Sequence, residues 1–219
     1  INNNIYPNST IFINPKKYNR SDNICSTTLS FFLINILNKR LYNSFKTNEI
    51  LFFCKIASIT DVTPMRGLNR YLIKSISKEI KNIKNKGLKY LIGNVLMKKE
   101  ITYQDIGYLI GPIINSSGRI SKADHALKLV IDSNEKNIKK SFKQLIDFNK
   151  IRKTIESYNL DLIDYKKIKN EKIIFIYNKK FHEGLIGILA SRIKDIYNRL
   201  AFIFTKSNNK IKCSIRSND

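Results

Sequence analysis

The sequence contains few cysteines and no long apolar run, and each absence excludes a class of protein. Its three cysteines, Cys25, Cys54 and Cys213, are far apart and lack C-x-x-C spacing. This argues against a disulfide framework and against a zinc site. The longest apolar candidate, Leu29 to Leu37, is interrupted by polar residues and is well short of the roughly 20 residues that a membrane span needs. We therefore expect a cytoplasmic protein that does not cross a membrane.

Acidic residues are scarce relative to basic ones. The chain has 17 aspartates and glutamates against 40 lysines and arginines, which gives a formal net charge of +23. Such an excess favours a polyanionic partner, because Lys and Arg release condensed counterions from nucleic-acid phosphates. Lys, Asn and Ile are common throughout the chain, however, which is the usage expected from an AT-rich genome whatever the function. The charge alone leaves both explanations open.

The first part of the chain predicts mostly helices. Its 219 residues, 42% of them apolar, suffice for one large domain or two smaller ones. The pattern predicts a short strand at Thr10 to Asn14 and a helix at Leu29 to Leu41. The apolar run Leu51 to Ile59 suits a buried strand or a buried helix, and periodicity does not decide between them. Helices are also predicted at Tyr71 to Ile83 and at Ile138 to Ile151, the second continuing as a long connector.

Strands return after Asn170. The segments Lys172 to Tyr177 (KIIFIY) and Leu200 to Thr205 predict strands, and His182 to Ile196 predicts a helix between them. This order is typical of a β-α-β unit. The sequence therefore predicts that a second domain begins near residue 165.

Two glycine-containing segments are candidates for phosphate binding. In Ile106 to Ile120 (IGYLIGPIINSSGRI), Asn115 and Arg119 supply donors beside backbone amides that small residues leave open, which suits a phosphate cradle. A plain Gly/Pro loop between helices is the alternative. In Phe181 to Ile193 (FHEGLIGILASRI), a helix start favours an anion that His182 could contact. The alternative there is an ordinary turn histidine ahead of a core helix.

A third candidate is the strand-like segment Lys212 to Ser217 (KCSIRS). Arg216 with the hydroxyl of Ser214 or Ser217 could hold a terminal phosphate, since arginine contacts phosphate oxygens in a bidentate manner. A solvated edge strand is the alternative.

In the segment Ile56 to Arg70 (IASITDVTPMRGLNR), a carboxylate follows an apolar run. This is Asp61, at the end of a buried element, where metal ligands and catalytic acids often lie. The alternative is an Asp that caps the element, and one carboxylate cannot hold a two-metal centre.

These segments, in this order, resemble the successive blocks of the RecJ exonucleases, a bacterial branch of the DHH phosphoesterase family. SITDVTPMRGLNR is similar to the family's GTVADVVPLxxENR, GPIINSSGR to GPRINAAGR, and FNKIRKTIE to LNxxRxxxE. FHEGLIGILASRI is similar to WHQGVIGIVASRL, and CSIRS to GSGRS. The opening IFINPKK resembles the segment just after the family's DHH motif. The likeness covers nearly the whole chain.

The resemblance implies an α/β fold built from two family domains. Residues 1–140 would be the C-terminal part of a DHH-type α/β domain, 141–165 a connecting helix, and 166–219 the N-terminal part of a DHHA1 α/β domain. Nucleic acid would lie between the two domains. The family's D-x-D and DHH motifs would precede the first residue, so this chain by itself is not expected to cleave DNA.

The resemblance also implies an activity, namely 5′-to-3′ exonuclease action on single-stranded DNA in repair and recombination. Two Mn²⁺ or Mg²⁺ ions would drive phosphodiester hydrolysis, and Asp61 matches the last metal-binding aspartate and would be catalytic. The implied contacts to the strand are Asn115, Arg119, His182, Ser214, Arg216 and Ser217. We expect a monomer, with a single-strand-binding protein or a helicase as candidate partners.

Two other functions fit the same residues. One is a DHH-family phosphodiesterase that acts on oligoribonucleotides or cyclic dinucleotides. The other is a nucleic-acid-binding relative that has lost catalysis, against which the retained Asp61 argues.

Overall fold

The computed structural model describes residues 13–15, 23–41, 47–74, 83–96 and 101–218. The chain forms two compact units. The first comprises Ile1–Pro112 and Asp132–Ile138, and the second comprises Ile113–Ile131 and Lys139–Asp219. Within the described ranges, no helix combines the length and apolar character needed to cross a membrane. The predicted limits 1–140, 141–165 and 166–219 stay a prediction, because they refer to family domains rather than to compact units.

Helices build the described part of the first unit. They are α1 (Ser26–Arg40), α2 (Asn48–Thr60), α3 (Gly67–Lys74), α4 (Lys86–Val95) and α5 (Tyr103–Asp105). The α1 helix confirms the prediction at Leu29 to Leu41. The undecided run at Leu51 to Ile59 is the helix α2, which buries Phe52, Cys54 and Ile56.

Two predicted elements fall partly outside the described residues. Of the strand predicted at Thr10 to Asn14, only Ile13 and Asn14 are described, and they have no regular structure. Of the helix predicted at Tyr71 to Ile83, the first four residues belong to α3, which starts earlier than predicted.

One continuous helical stretch follows Thr102 and corrects a prediction. The α5 helix opens with a capping box, in which Thr102 Oγ1 accepts a hydrogen bond from the Asp105 N–H at 3.1 Å and the Asp105 carboxylate accepts one from the Thr102 N–H at 2.9 Å. A π-helical turn (Ile106–Ile110) and then α6 (Gly111–Ile120) continue the stretch. The prediction that GPIINSSGR forms an irregular Gly/Pro loop or a nest of open amides is therefore wrong.

The π-helical turn explains why Pro112 does not break this stretch. The Gly111 N–H donates to the carbonyl of Ile106, five residues earlier, so the ordinary helical pattern is already shifted where the proline enters. Gly111 also allows a close approach within the first unit, because a Cβ there would lie 2.6 Å from Cγ2 of Thr60.

The second unit combines helices with a three-stranded sheet. Its elements after α6 are α7 (Asp124–Ile131), most of the long helix α8 (Glu135–Asp161), α9 (Tyr165–Ile168), β1 (Ile174–Tyr177), α10 (Ile186–Tyr197), β2 (Ala201–Ser207) and β3 (Lys210–Arg216). β1 and β2 are parallel, and β2 and β3 are antiparallel. The predicted long helix, the β-α-β unit and the α/β class are confirmed.

The register of the sheet places Ser214 and Arg216 on its buried face. Arg216 lies opposite Ala201, and Ser214 lies opposite Ile203. Directly opposed residues of antiparallel strands point to the same face. Ala201 and Ile203 belong to the core that includes Leu189 of α10. Ser214 and Arg216 therefore lie on the side of the sheet that α10 covers.

Candidate nucleic-acid interface

A buried carboxylate of α8 holds two arginines from different helices. The Glu156 side chain is only 7% exposed, and its Oε2 accepts a hydrogen bond from Arg152 Nη1 at 2.8 Å. Its Oε1 accepts one from Arg192 Nε, on α10, at 2.7 Å. Arg152 is also anchored at its other edge, because its Nε donates to Asn149 Oδ1 at 3.1 Å. The carboxylate thus ties α8 to α10.

Arg119, at the C-terminal end of α6, lies within electrostatic reach of this group. Burial lowers the pKa of the Arg119 guanidinium from its ordinary value, and the positive charges of Arg152 and Arg216 lower it further. Glu156 opposes that effect. We call Arg119, Arg152, Arg192 and Arg216 the arginine cluster. Because one carboxylate accompanies four guanidinium groups, the cluster is a favourable place for an anion.

Gly184 brings the loop before α10 against the main chain of Arg119. A Cβ at position 184 would lie 2.1 Å from the Arg119 carbonyl oxygen and 3.1 Å from its carbonyl carbon. Only a residue without a side chain allows this contact. Two segments that are more than sixty residues apart in sequence, GPIINSSGR and FHEGLIGILASRI, therefore meet at this point.

The first turn of α10 faces the polar residues of β3. A Cβ at Gly187 would lie 3.5 Å from Ser214 Oγ and 3.6 Å from Arg216 Nη2. The residue before the helix, Leu185, provides no side-chain cap. The first amides of a helix without such a cap are available to another acceptor, and the helix end carries partial positive charge. An anion at this position would meet a hydroxyl, a guanidinium and a helix end.

His182 lies in the loop that precedes α10. Its Nδ1 accepts a hydrogen bond from the Gly184 N–H at 3.1 Å. An imidazole that accepts at Nδ1 in its neutral form carries its hydrogen on Nε2, which can then donate to a ligand. The adjacent Glu183 is hydrogen-bonded to Lys212 and Ser207, and these bonds lower the pKa of its carboxyl.

Comparison with known proteins gives a consistent result. No family model matches the chain. A single-stranded-DNA-specific exonuclease RecJ from Haemophilus influenzae is 27% identical in an alignment 180 residues long that covers 77% of this chain. The crystal structure of RecJ in complex with Mg²⁺ from Thermus thermophilus matches with a TM-score of 0.78 and 25% identity over 92% of this chain. The chain is a relative of the RecJ exonucleases.

A second Thermus thermophilus RecJ structure, in complex with Mn²⁺, matches with a TM-score of 0.74 and 26% identity over 83% of this chain. The match covers 31% of the Haemophilus RecJ and 32% and 27% of the two Thermus chains. The chain thus spans about a third of the length of its RecJ relatives. The predicted relationship to RecJ is confirmed.

The structure brings together some of the predicted contact residues. Arg119, Ser214 and Arg216 lie near one another in the second unit. Asn115 is exposed on α6. Ser217 follows β3, and its hydroxyl donates to the Asn218 carbonyl at 2.7 Å. The binding roles of these residues and of His182 stay predictions.

Asp61 belongs to the first unit and lies directly after α2. Its N–H donates to the carbonyl of Ala57, the N–H of Val62 donates to the carbonyl of Ile59, and the Asp61 side chain is exposed. The next residue, Val62, has a φ of 52°, which is uncommon for a β-branched residue. Among the described residues, no group of three or more His, Cys, Asp or Glu side chains could hold a metal ion. The described part of the chain therefore does not make a complete metal site around Asp61.

Sequence reasoning missed Arg152, Glu156 and Arg192 as site residues. One signal was readable, because Arg152 and Glu156 are four residues apart on a predicted helix and so face one another. Both also belong to the segment that resembles the RecJ block LNxxRxxxE. Arg192 could not be found this way, because the sequence does not show that α10 packs beside this face of α8.

Proposed function

We propose that this chain is part of a RecJ-type exonuclease that degrades single-stranded DNA from its 5′ end. Within it, the second unit holds phosphates of the strand. The observation that carries the proposal is the arginine cluster, which lies beside Ser214 and the start of α10. The names of the relatives support single-stranded DNA as the polyanion. Roles in repair and recombination, and cooperation with a single-strand-binding protein or a helicase, belong to the same proposal.

Each residue would contribute a distinct contact. Arg216 and the Ser214 hydroxyl would bind the terminal 5′-phosphate, with the first amides of α10 completing its hydrogen bonds. Arg119 stays protonated at neutral pH despite its lowered pKa, and a bound phosphate would relieve its repulsion from the neighbouring arginines. Asn115, His182 through its Nε2, and Ser217 would add weaker contacts.

The hydrolytic step is proposed for the whole enzyme rather than for the described residues. The solved RecJ structures hold Mn²⁺ or Mg²⁺, and such ions supply Lewis acidity and an activated water for phosphodiester hydrolysis. Asp61 is the residue that would contribute a ligand.

The test is binding of a short single strand by the 219-residue chain. Fluorescence anisotropy with a 3′-labelled oligonucleotide would compare a 5′-phosphate with a 5′-hydroxyl. We expect Arg119→Ala and Arg216→Ala each to weaken binding of the phosphorylated strand by about tenfold, the cost of one or two charge-assisted hydrogen bonds. Each should also reduce the slope of log K against log salt by about 0.7, because one phosphate contact on a single strand is lost.

A matched control is Lys128→Ala. Lys128 is an exposed cation of the same unit and pairs with Asp124 at 2.7 Å, outside the arginine cluster. Its loss should change affinity by less than about twofold, as expected for a surface ion pair. Equal affinities for the wild type and both arginine variants would contradict the proposal.

A further inference from the structure

We infer that Glu156 is a positioning residue: its carboxylate holds the side chains of Arg152 and Arg192 in the orientation in which the arginine cluster receives phosphate. The inference rests on the proposed function and deepens it. Charge alone would not lead one to expect Glu156 at an anion site, because a carboxylate repels phosphate.

The hydrogen bonds fix both arginines, and they leave the outer side of Arg192 available to a ligand. Arg192 uses Nε for Glu156 Oε1, so the N–H groups of both Nη atoms remain for another acceptor. Its side chain is 58% exposed, so solvent and ligands reach it. Arg152 is 12% exposed and is held at Nε by Asn149 and at Nη1 by Glu156. Arg152 is thus a fixed, buried charge, and Arg192 is an anchored guanidinium group whose Nη atoms are accessible to a ligand.

The charge balance explains why an acid is needed among these arginines. Like charges repel at short range, and guanidinium groups without a carboxylate between them would turn away toward solvent. Glu156 is almost fully buried and gives one oxygen to each partner, so neither of its oxygens is left to face a ligand. The negative charge of Glu156 lowers the attraction of the arginine cluster for phosphate, whereas its hydrogen bonds orient the arginines that contact the phosphate.

These two effects have opposite signs, which makes the inference testable. Glu156→Gln removes one negative charge, keeps a carbonyl oxygen for one arginine and turns an amide N–H₂ group toward the other. If charge alone mattered, the variant would bind single-stranded DNA more tightly. We expect weaker binding of the 5′-phosphorylated strand by about fivefold, which is within the range of coupling between contacting residues.

The matched control for the charge is Asp195→Asn. Asp195 lies on α10, pairs with its neighbour Lys194 and is 66% exposed. Its substitution removes the same charge from the same unit without releasing an arginine of the cluster. We expect affinity to stay within about twofold of wild type or to rise slightly, as is usual for an exposed ion pair.

A double-mutant cycle distinguishes positioning from a general structural role. If Glu156 acts in part through Arg192, then Glu156→Gln should weaken binding less in the Arg192→Gln background than in the wild type, because the two residues are coupled. Additive losses in the cycle would overturn the inference, as would Glu156→Gln binding as tightly as wild type or more tightly while keeping its circular dichroism.

Arg192→Gln also covers the case in which Glu156→Gln does not fold, because Arg192 is exposed and the buried Glu156 carboxylate keeps Arg152 as an ion-pair partner. We expect about fivefold weaker binding for this variant, against less than about twofold for Lys194→Gln on the same helix. Equal effects would refute the inference. These outcomes are distinct from those that test the proposed function. If Arg119→Ala and Arg216→Ala have no effect on binding, the proposed phosphate-binding function is refuted. If they weaken binding while Glu156→Gln strengthens it, only the positioning role of Glu156 is refuted.

Discussion

The close contact at Gly184 makes Gly184→Ala a sensitive test of the packing in the second unit. The added methyl group would lie 2.1 Å from the carbonyl oxygen of Arg119 and 3.3 Å from its Cα. All three nearest atoms are main-chain atoms, so no side-chain rotation removes the clash. The loop before α10 or the end of α6 must move by roughly 1 Å to restore an ordinary contact.

This movement has two consequences with different magnitudes. Overpacking of a tight interface typically costs about 1–3 kcal/mol, so the unit should lose stability by that amount. Arg119 and the first turn of α10 also move apart, which separates the guanidinium from the helix end where Ser214 and Arg216 lie. Single-stranded DNA binding should therefore weaken in the folded protein by about tenfold, similar to the loss of one charge-assisted contact.

Hydrogen exchange measured by mass spectrometry resolves the stability effect by segment. Peptides from α6 and α10 should exchange faster in Gly184→Ala, while peptides from α4 should not change. The matched control is Gly93→Ala within α4, where a Cβ would meet no atom within 4 Å. There, alanine should slow the exchange of α4, since a helical Gly-to-Ala change stabilises by about 0.5–1 kcal/mol. Unchanged exchange in α6 and α10 for Gly184→Ala would refute the reasoning.

Two further outcomes are expected. Val62→Gly should stabilise the first unit by up to about 1 kcal/mol in urea unfolding, because glycine adopts a φ of 52° without the cost that a β-branched residue has. The control Val95→Gly, in α4, should destabilise the same unit. A loss of stability in both variants would contradict the left-handed backbone at Val62. The pKa of the Cys54 thiol is raised by burial, and the pKa of Cys213 is raised by desolvation as well, so access to the thiol should decide the order of alkylation. Mass spectrometry should find iodoacetamide on the exposed Cys213 before the buried Cys25 and Cys54; equal rates would contradict the burial of those two cysteines.

The second unit could largely be predicted from the sequence because its signals are local. The run KIIFIY is rich in β-branched residues and forms β1, and the helix after Asn134 follows its apolar spacing to Asp161. Most of the strand-like segment KCSIRS lies within β3, whose register places Ser214 and Arg216 on one face.

Two segments show where local signals fail. Leu51 to Ile59 has apolar residues on every side, so its periodicity does not separate a buried strand from a buried helix; the structure shows that it is the helix α2. GPIINSSGR contains residues that usually interrupt helices. It is helical because the capping box at Thr102 starts a helix upstream and the π-helical turn admits Pro112.

The candidate site depended on distances that no sequence pattern contains. The four arginines of the cluster lie on four different elements, and they come together because α6, α8, α10 and β3 pack within one unit. The family blocks named most of these residues, but they did not reveal that Glu156 joins two of them.

The path of the chain between the two units limits how the protein can be divided. The backbone passes from one unit to the other after residues 112, 131 and 138. Any single cut therefore leaves at least one unit without part of its sequence. No truncation from either end yields the complete second unit without residues 132–138. A fragment of residues 113–219 contains the whole second unit but also residues 132–138 of the first, so cleavage by a protease after residue 112 should leave the two pieces associated.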